Sequence, residues 1–488
     1  MSGTLKIAAK GALDQWFTKD PQMSYFFVNY KRHSKFSVEQ VEMPFSGTQD
    51  WGKDLYCEIP YSKGDLIKNL ALRITMNDIE HEDFPETIKG QMGSYVQTIN
   101  LPYVPSVCTE LIDYVDLFIG GQHIERLTGE YIYIHQQLNN SGNDVKNALR
   151  KINGHGDFLD NHTDDAYDDV YEIVAASMPE YNENNFNTYI LDLPFYFYRE
   201  PSLSIPMCAL QRQKVELRLK LKEFNDVIFG GRRIGKRWGE DIKSVLRSVS
   251  LESSFGFLMN EERHYLMTRP IDYVITQVQL AQFNMEYPLS KKTVMLNFRH
   301  PVKELFFIVQ NDAYKQYNNT LRFQEIQRVE LRFNNQVVFD GNHDYLVYDQ
   351  PMEHHVNIPE QRVMKYRHKH NEFVEINTSS EFGVYSFGLH PDKAYPTGQV
   401  NMSRITHQMI TIEIDPEIND LYCPKVYGTV LPKADASEGR IATTLRYSNG
   451  RTSPAVKTYV RSKDNQVRVY AVNYNVLRVA GGLGGLKF

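Results

Sequence analysis

The residues best placed for chemistry lie together at His368-Lys-His370-Asn-Glu-Phe-Val-Glu375. Two imidazoles two positions apart point from one face of an extended strand, so they can share a divalent metal, with Glu375 as an oxygen ligand. The nearby His354-His355 pair chelates poorly, because adjacent strand residues face opposite ways. An acidic run from Asp157 to Glu172 has the charge for calcium but lacks the D-x-[DN]-x-[DN]-G order of a defined loop. Gly230-x-x-x-x-Gly235-Lys236 has the spacing of a phosphate-cradling loop, yet Arg237 stands where a Ser or Thr would hold magnesium. The sequence contains no GxSxG elbow, no HExxH pair and no CxxC pair.

The metal reading needs a further ligand that the chain does not supply. HxHx4E is the first ligand set of cupin metal sites, which are built on jelly-roll sandwiches. Their second element places a His after PxGxx, but here Pro396-Thr-Gly398-Gln-Val leads to Asn401. The expectation is therefore polar strand or loop residues, with no metal, no cofactor and no catalytic residue. N-x-[ST] sequons at Asn139, Asn161, Asn318, Asn377 and Asn401 follow from the abundance of Asn. The N-terminus lacks the 7–15-residue apolar core of a secretory signal, so glycosylation is not expected.

These candidates depend on the elements that hold them. Of the 488 residues, 42% are hydrophobic and 23% charged, the balance of a globular chain rather than a disordered or fibrous one. Aromatics reach 12%, with 31 Tyr and 26 Phe, which favours strands over helices. Basic residues number 54 against 60 acidic, a net charge of −6, so the basic footprint of a nucleic-acid binder is missing. Cys57, Cys108, Cys208 and Cys423 are dispersed, as expected of free thiols in a reducing compartment. The longest fully apolar run, Leu305 to Val309, has five residues, far short of the ~20 that span a bilayer.

Period-2 alternation marks strands at Val215–Leu221 and Met409–Ile414. Helical spacing is rarer. It covers Thr128–Leu138, with Tyr131, Ile134 and Leu138 on one side, and Asp144–Ile152, capped by Asn143 or Asp144 and stopped by Gly154.

Two ordered echoes indicate a tandem repeat. Val115-Asp-Leu-Phe-Ile-Gly120-Gly121-Gln122 matches Val329-Glu-Leu-Arg-Phe-Asn-Asn-Gln336, an offset of 329 − 115 = 214. Both read as a strand, a tight turn of residues that tolerate positive φ, and a return strand. Phe197…Pro201…Pro206 then matches Phe387…Pro391…Pro396, an offset of 387 − 197 = 190, so the first copy carries about 214 − 190 = 24 extra residues. The polar, acidic stretch from about 139 to 187 is the expected insertion. The resulting division is an arm over 1–24, a first sandwich over 25–225, a basic Gly-rich linker over 226–249, and a second sandwich over 250–488. The tail Ala480–Phe488 reads as flexible until ordered by a contact.

The motifs then resemble those of the major capsid proteins of nucleocytoplasmic large DNA viruses, along nearly the whole chain. Asp20-Pro-Gln-Met-Ser-Tyr-Phe-Phe27 followed by Tyr30-Lys-Arg32-His33 and Phe36 is similar to the family's opening segment, and Ile119-Gly120-Gly121 to its hairpin. Leu193-Pro194-Phe195-Tyr-Phe197 with Leu203-Ser-Ile-Pro206 resembles a Pro-Phe-Trp-Phe stretch, with Tyr196 where the family usually has Trp. The strongest likeness is Tyr385-Ser-Phe387…Pro391…Pro396-Thr-Gly398…Asn401-Met-Ser403, and the end Asn473-Tyr474-Asn475 fits the family's terminal strand.

The resemblance implies an all-β fold of two tandem eight-stranded jelly-roll sandwiches, with short helices in loop insertions. It further implies homotrimers forming pseudo-hexagonal capsomers of an icosahedral virion capsid, assembled in the host cytoplasm. The implied partners are neighbouring capsomers, penton and minor capsid proteins, and indirectly an inner membrane beneath the shell, with no direct nucleic-acid contact. Two sandwiches per chain would give a trimer six similar edges. The competing readings are a cupin-like metalloenzyme, which predicts a bound metal, and a carbohydrate-binding sandwich, which predicts glycan-retained monomers.

Overall fold

The computed structural model describes residues 2–27, 30–76, 106–140, 187–227, 246–286, 289–311, 323–359, 363–367, 373–377, 382–414, 440–443, 456–459 and 464–488. Sixteen principal strands divide into two sets of eight. The first set is β1 Phe36–Pro44, β2 Asp54–Ile59, β3 Leu66–Met76, β4 Ile112–Ile119, β5 Gln122–Thr128, β6 Asn187–Asp192, β7 Val215–Leu221 and β8 Leu246–Leu258. The second is β9 Ile271–Met285, β10 Lys291–Leu296, β11 Pro301–Asn311, β12 Ile326–Phe333, β13 Gln336–Asn342, β14 Gly383–Ser386, β15 Gln408–Ile414 and β16 Asn465–Ala480.

All pairings in these sets are antiparallel. The first forms sheets β1-β8-β3-β6 and β2-β7-β4-β5, and the second repeats the order as β9-β16-β11-β14 and β10-β15-β12-β13. Each set is a jelly roll, and strand n of the first corresponds to strand n + 8 of the second. Two hairpins lie outside the sixteen: Val363–Arg367 with Phe373–Asn377, and Arg440–Thr443 with Val456–Tyr459.

The repeat extends to irregularities. The β4–β5 turn holds Gly120 and Gly121 at φ 59 and 81, and the β12–β13 turn holds Asn334 and Asn335 at φ 50 and 67. Each hairpin has a register shift two residues before its turn, at Leu117/Phe118 and Leu331/Arg332. Ile119 faces Val215 and Phe333 faces Gln408, so the offset falls from 214 to 408 − 215 = 193 and the first copy carries 21 extra residues. Most of that insertion, residues 141–186, and the predicted Asp144–Ile152 helix lie outside the described residues.

Four expectations need correction. The strand β8 straddles the boundary drawn at 249/250, because Leu246–Leu258 fills the slot between β1 and β3 of the first sandwich. The Gly-rich composition upstream hid a strand whose alternation starts only at Leu246. The arm runs past residue 24, since the first strand begins at Phe36 and every described residue before it is exposed.

The second echo paired the wrong prolines. Pro206 sits in a two-residue strand on β3, facing Leu66, and the counterpart facing Pro301 on β11 is Asn401, not Pro396. The tail is not loose. Residues Leu483–Leu486 turn back at Gly481-Gly482 and pair with Leu477–Ala480.

Packing explains the longest apolar run. In β11, Leu305, Phe307 and Val309 enter the second sandwich's core, while Phe306 and Ile308 join the core of the first. In β16, Val467, Val469 and Ala471 likewise face the second core, and Tyr470 and Val472 face the first. A sheet covered on both faces reads as continuous hydrophobicity rather than alternation. Cys57, Cys108 and Cys208 are buried free thiols, and burial raises Cys57 and Cys208 to about 11, so they are poor nucleophiles.

Candidate functional site

The densest polar chemistry in the molecule is the seam between the sandwiches. Its centre is the helix Gly129–Asn139 that follows β5, where the sequence placed one. Thr128 caps it, its Oγ1 accepting from the Tyr131 N–H at 3.2 Å. Glu130 projects across to the second sandwich. It forms a two-pronged ion pair with Arg468 and accepts from the Tyr470 hydroxyl at 2.7 Å. Arg468 also donates to Gln310 Oε1 at 2.9 Å. Burial works against the Arg468 charge, but Glu130 raises its pKa, so the guanidinium stays protonated. Tyr131 packs on Phe306 and Tyr470 with ring centroids 6.3 and 5.9 Å away.

A second set continues the seam. Asn357 donates from its backbone to the Leu138 carbonyl at 3.0 Å and from its side chain to the Gln137 and Asn140 carbonyls at 3.1 Å each. Glu304 is buried between Lys303 at 3.7 Å and His355 at 3.3 Å. Burial disfavours its charge, but Lys303 and His355 outweigh that and hold its pKa below the ordinary value. Glu125 is different. Burial pushes it up to about 8, although it accepts from the Tyr196 N–H at 3.2 Å and faces Lys303. Burial lowers His135, on the seam helix, to about 4.

The C-terminal strand closes the seam from the other side. Arg212 N–H donates to the Gly482 carbonyl at 3.2 Å, Gly484 N–H to Gln213 Oε1 at 2.6 Å, and Leu486 N–H to Gln122 Oε1 at 3.1 Å. Gly120 lets Gln213 approach, because a Cβ there would lie 2.3 Å from its amide nitrogen.

The motif residues serve the fold in separate places. Arg32 and His33 are exposed in the arm, and His33 packs on Phe36 with centroids 5.8 Å apart. Gly120 and Gly121 make the hairpin turn. Pro194 and Phe195 are buried beneath the seam, Phe195 stacking on Phe197 at 6.0 Å. Pro396 is exposed, while Gly398 adopts φ 144 with its Cβ position 2.9 Å from the Gly388 Cα. Asn401 Oδ1 accepts from Ser403 N–H at 3.1 Å, and Ser403 Oγ accepts from His300 N–H at 2.8 Å. Asn473 accepts from Gln279 at 2.8 Å, and Asn475 donates to Gln277 Oε1 at 2.9 Å and to the Phe488 carbonyl at 3.1 Å, tying β16 to β9 and to the tail. Tyr474 is buried beside Lys303, whose ammonium lies 5.9 Å from its ring.

His368 and His370 lie outside the described residues, and so do the acidic run and the Gly230–Arg237 segment. Sequence reasoning missed the Glu130–Arg468 pair and the clasping tail. The one available signal was Arg468 inside an otherwise apolar strand, and its partner is 338 residues away.

The surfaces left free are of two kinds. The arm exposes Trp16 by 86%, Phe26 by 92% and Tyr30 by 88%, an apolar load that nothing in the chain covers among the described residues. The outer face of β1-β8-β3-β6 is polar, with Arg73 holding Glu252 at 3.3 Å and Glu42 at 4.0 Å.

Comparison with known proteins places this architecture. A family model for the major capsid protein N-terminus matches residues 24–246, and one for the large eukaryotic DNA virus major capsid protein matches residues 262–382. The chain is 26% identical to the major capsid protein of Pyramimonas orientalis virus, covering 100% of this chain and 99% of that one. It is 24% identical to that of Paramecium bursaria Chlorella virus 1, again over 100% and 99%. Among solved structures, a quasi-atomic model of the PBCV-1 virus capsid superposes with TM-score 0.66 at 19% identity, covering 95% and 100% of the two chains. The Faustovirus major capsid protein superposes with TM-score 0.61 at 10% identity, covering 97% and 95%. The chain belongs to the major capsid protein family of the nucleocytoplasmic large DNA viruses.

Proposed function

We propose that this chain is the structural unit of a virus shell and acts by associating with copies of itself. The observation that carries the reading is the end-to-end likeness to major capsid proteins, on a chain whose buried polar groups serve to join its own two sandwiches. Among the described residues no group of three or more His, Cys, Asp or Glu is set to hold a metal, which leaves the cupin reading without a centre there. Three copies would bring six sandwiches into a pseudo-hexagonal capsomer, and capsomers would tile the icosahedral virion capsid. Penton and minor capsid proteins would fill the vertices and gaps, with any inner membrane contacted indirectly and nucleic acid not at all. Assembly in the host cytoplasm fits the free, buried thiols.

Light scattering on the purified chain, with metal content read from the same fraction, tests this. The expected species is metal-free and about 170 kDa, three times 56.8 kDa. A monomer carrying one tightly held transition metal overturns the reading and restores the cupin alternative at His368 and His370.

A further inference from the structure

The two sandwiches carry corresponding surfaces, and only one set is satisfied within the chain. Lys68 in β3 and Lys303 in β11 sit at matching register shifts, between Ile67/Asn69 and Val302/Glu304. That alignment sets Phe306 and Ile308 against Ala71 and Arg73, and sets Arg468 and Tyr470 against Ser250 and Glu252. The helix following the fifth strand of each sandwich corresponds equally well. Thr128 caps the Tyr131 N–H at 3.2 Å and Asn342 caps the Tyr345 N–H at 3.3 Å, both at the offset of 214. The counterpart of Glu130 is therefore Asp344, and it is exposed.

In the second sandwich, the face bearing Arg468 is closed by Glu130. In the first, the face bearing Ser250 and Arg73 is open, and Asp344 has no second sandwich of its own chain to reach. We propose that the β1-β8-β3-β6 face of one copy receives the Asp344–Val356 segment of a second copy, repeating between chains the seam that exists within one. Asp344 then faces Ser250 and Arg73, and Met352 and Val356, at 63% and 56% exposed, gain cover. The face is polar where the internal seam is apolar, as suits a contact between chains that fold separately. The contact is head-to-tail, so it closes a ring or runs on as a filament, and two sandwiches per chain make a six-membered ring three chains. The inference rests on the self-assembly reading above and specifies which surfaces meet.

The test uses the full chain with Ser250→Cys and Asp344→Cys. The Glu130–Arg468 contact spans two long side chains, too far for a direct disulfide, so a short bifunctional maleimide joins the thiols. The expected outcome is covalent dimer and trimer on denaturing gels from the double variant and neither from either single variant, with Met352→Lys weakening the assembly at least about tenfold. A 170 kDa species that yields no cross-link overturns the proposed surfaces while leaving the trimer standing. Cross-linking that stops at dimer overturns the head-to-tail arrangement, and a monomeric mass overturns the trimer itself.

Discussion

The sheet β9-β16-β11-β14 is buried on both faces, whereas its counterpart β1-β8-β3-β6 is buried on one. The backbones agree down to the register shift at Lys303 and Lys68, so the difference lies in side chains. Where the second sandwich has Phe306 facing Tyr470, the first has Ala71 facing Glu252. Where the second has Ile308 facing Arg468, the first has Arg73 facing Ser250. A duplicated fold has thus diverged by what covers it, the permanently covered face gaining apolar bulk and one deeply paired charge. The face left open kept exchangeable polar groups.

The sharpest way to break this comparison is to remove the matching residues Arg468 and Ser250. Arg468→Ala strands the Glu130 carboxylate in the seam, together with the Gln310 contact, and should lower unfolding stability by about 3–5 kcal/mol. Ser250→Ala removes one hydrogen bond, to Glu42 at 2.6 Å, on a partly wet face and should cost about 1 kcal/mol. Urea midpoints for the two variants decide it. Equal losses would mean that the seam is no more than another surface.

A smaller effect appears in pH dependence. Glu125 occupies the position of Phe339 in the second sandwich, so only the first brings a buried carboxyl to the seam. Its pKa is raised from 4.5 to about 8, so its contribution is complete below pH 4.5 and is lost as pH rises through 8. His135 is lowered from 6.5 to about 4, so its contribution is complete above pH 6.5 and is lost as pH falls through 4. The groups facing this pair are Lys303, Glu304, His355 and Arg199. Between pH 4.5 and 6.5 the two slopes oppose each other, and the wild type should be nearly flat there. Glu125→Gln should uncover stability rising with pH across that window, and His135→Gln stability falling, each by at most about 1.4 kcal/mol per pH unit. For His135 the slope should be smaller, since its ring is only half-buried. Parallel curves for both variants would place neither group in the seam.

The sequence made the double sandwich legible because strands announce themselves locally. Alternation in Val215–Leu221 and the Gly-Gly and Asn-Asn turns are short-range signals, and they survive duplication. The seam helix at Thr128 was equally visible. What stayed hidden was long-range. Nothing local distinguishes β8 from a linker until its pairing with β1 and β3 is known, and the tail orders only because Gln122, Arg212 and Gln213 wait for it on the other sandwich. The Pro206–Pro396 echo failed for a related reason: loops drift in length, so equal spacing inside a loop does not mark the residues that meet β3 and β11.

The two hairpin turns give the finest form of the comparison, and one position in them touches the seam. Gly121 and Asn335 both sit at positive φ in open surroundings at the tip, so Gly121→Asn should change stability by less than about 0.5 kcal/mol. Gly120 has the same backbone freedom but not the same space. A Cβ there meets the Gln213 side chain, whose Oε1 holds the Gly484 N–H at 2.6 Å. In the second sandwich the matching Asn334 turns its own side chain to accept from His407 N–H at 3.2 Å, and no tail passes behind it. Gly120→Asn should therefore displace Gln213, free the C-terminal strand and cost about 1–2 kcal/mol, although Asn is well tolerated at that φ. Hydrogen exchange at Gly484 and Leu486 reads the effect directly, rising in Gly120→Asn and unchanged in Gly121→Asn. Equal protection in both variants would show that the tail is held by its pairing with β16 alone, and that the first hairpin, like the second, is only a turn.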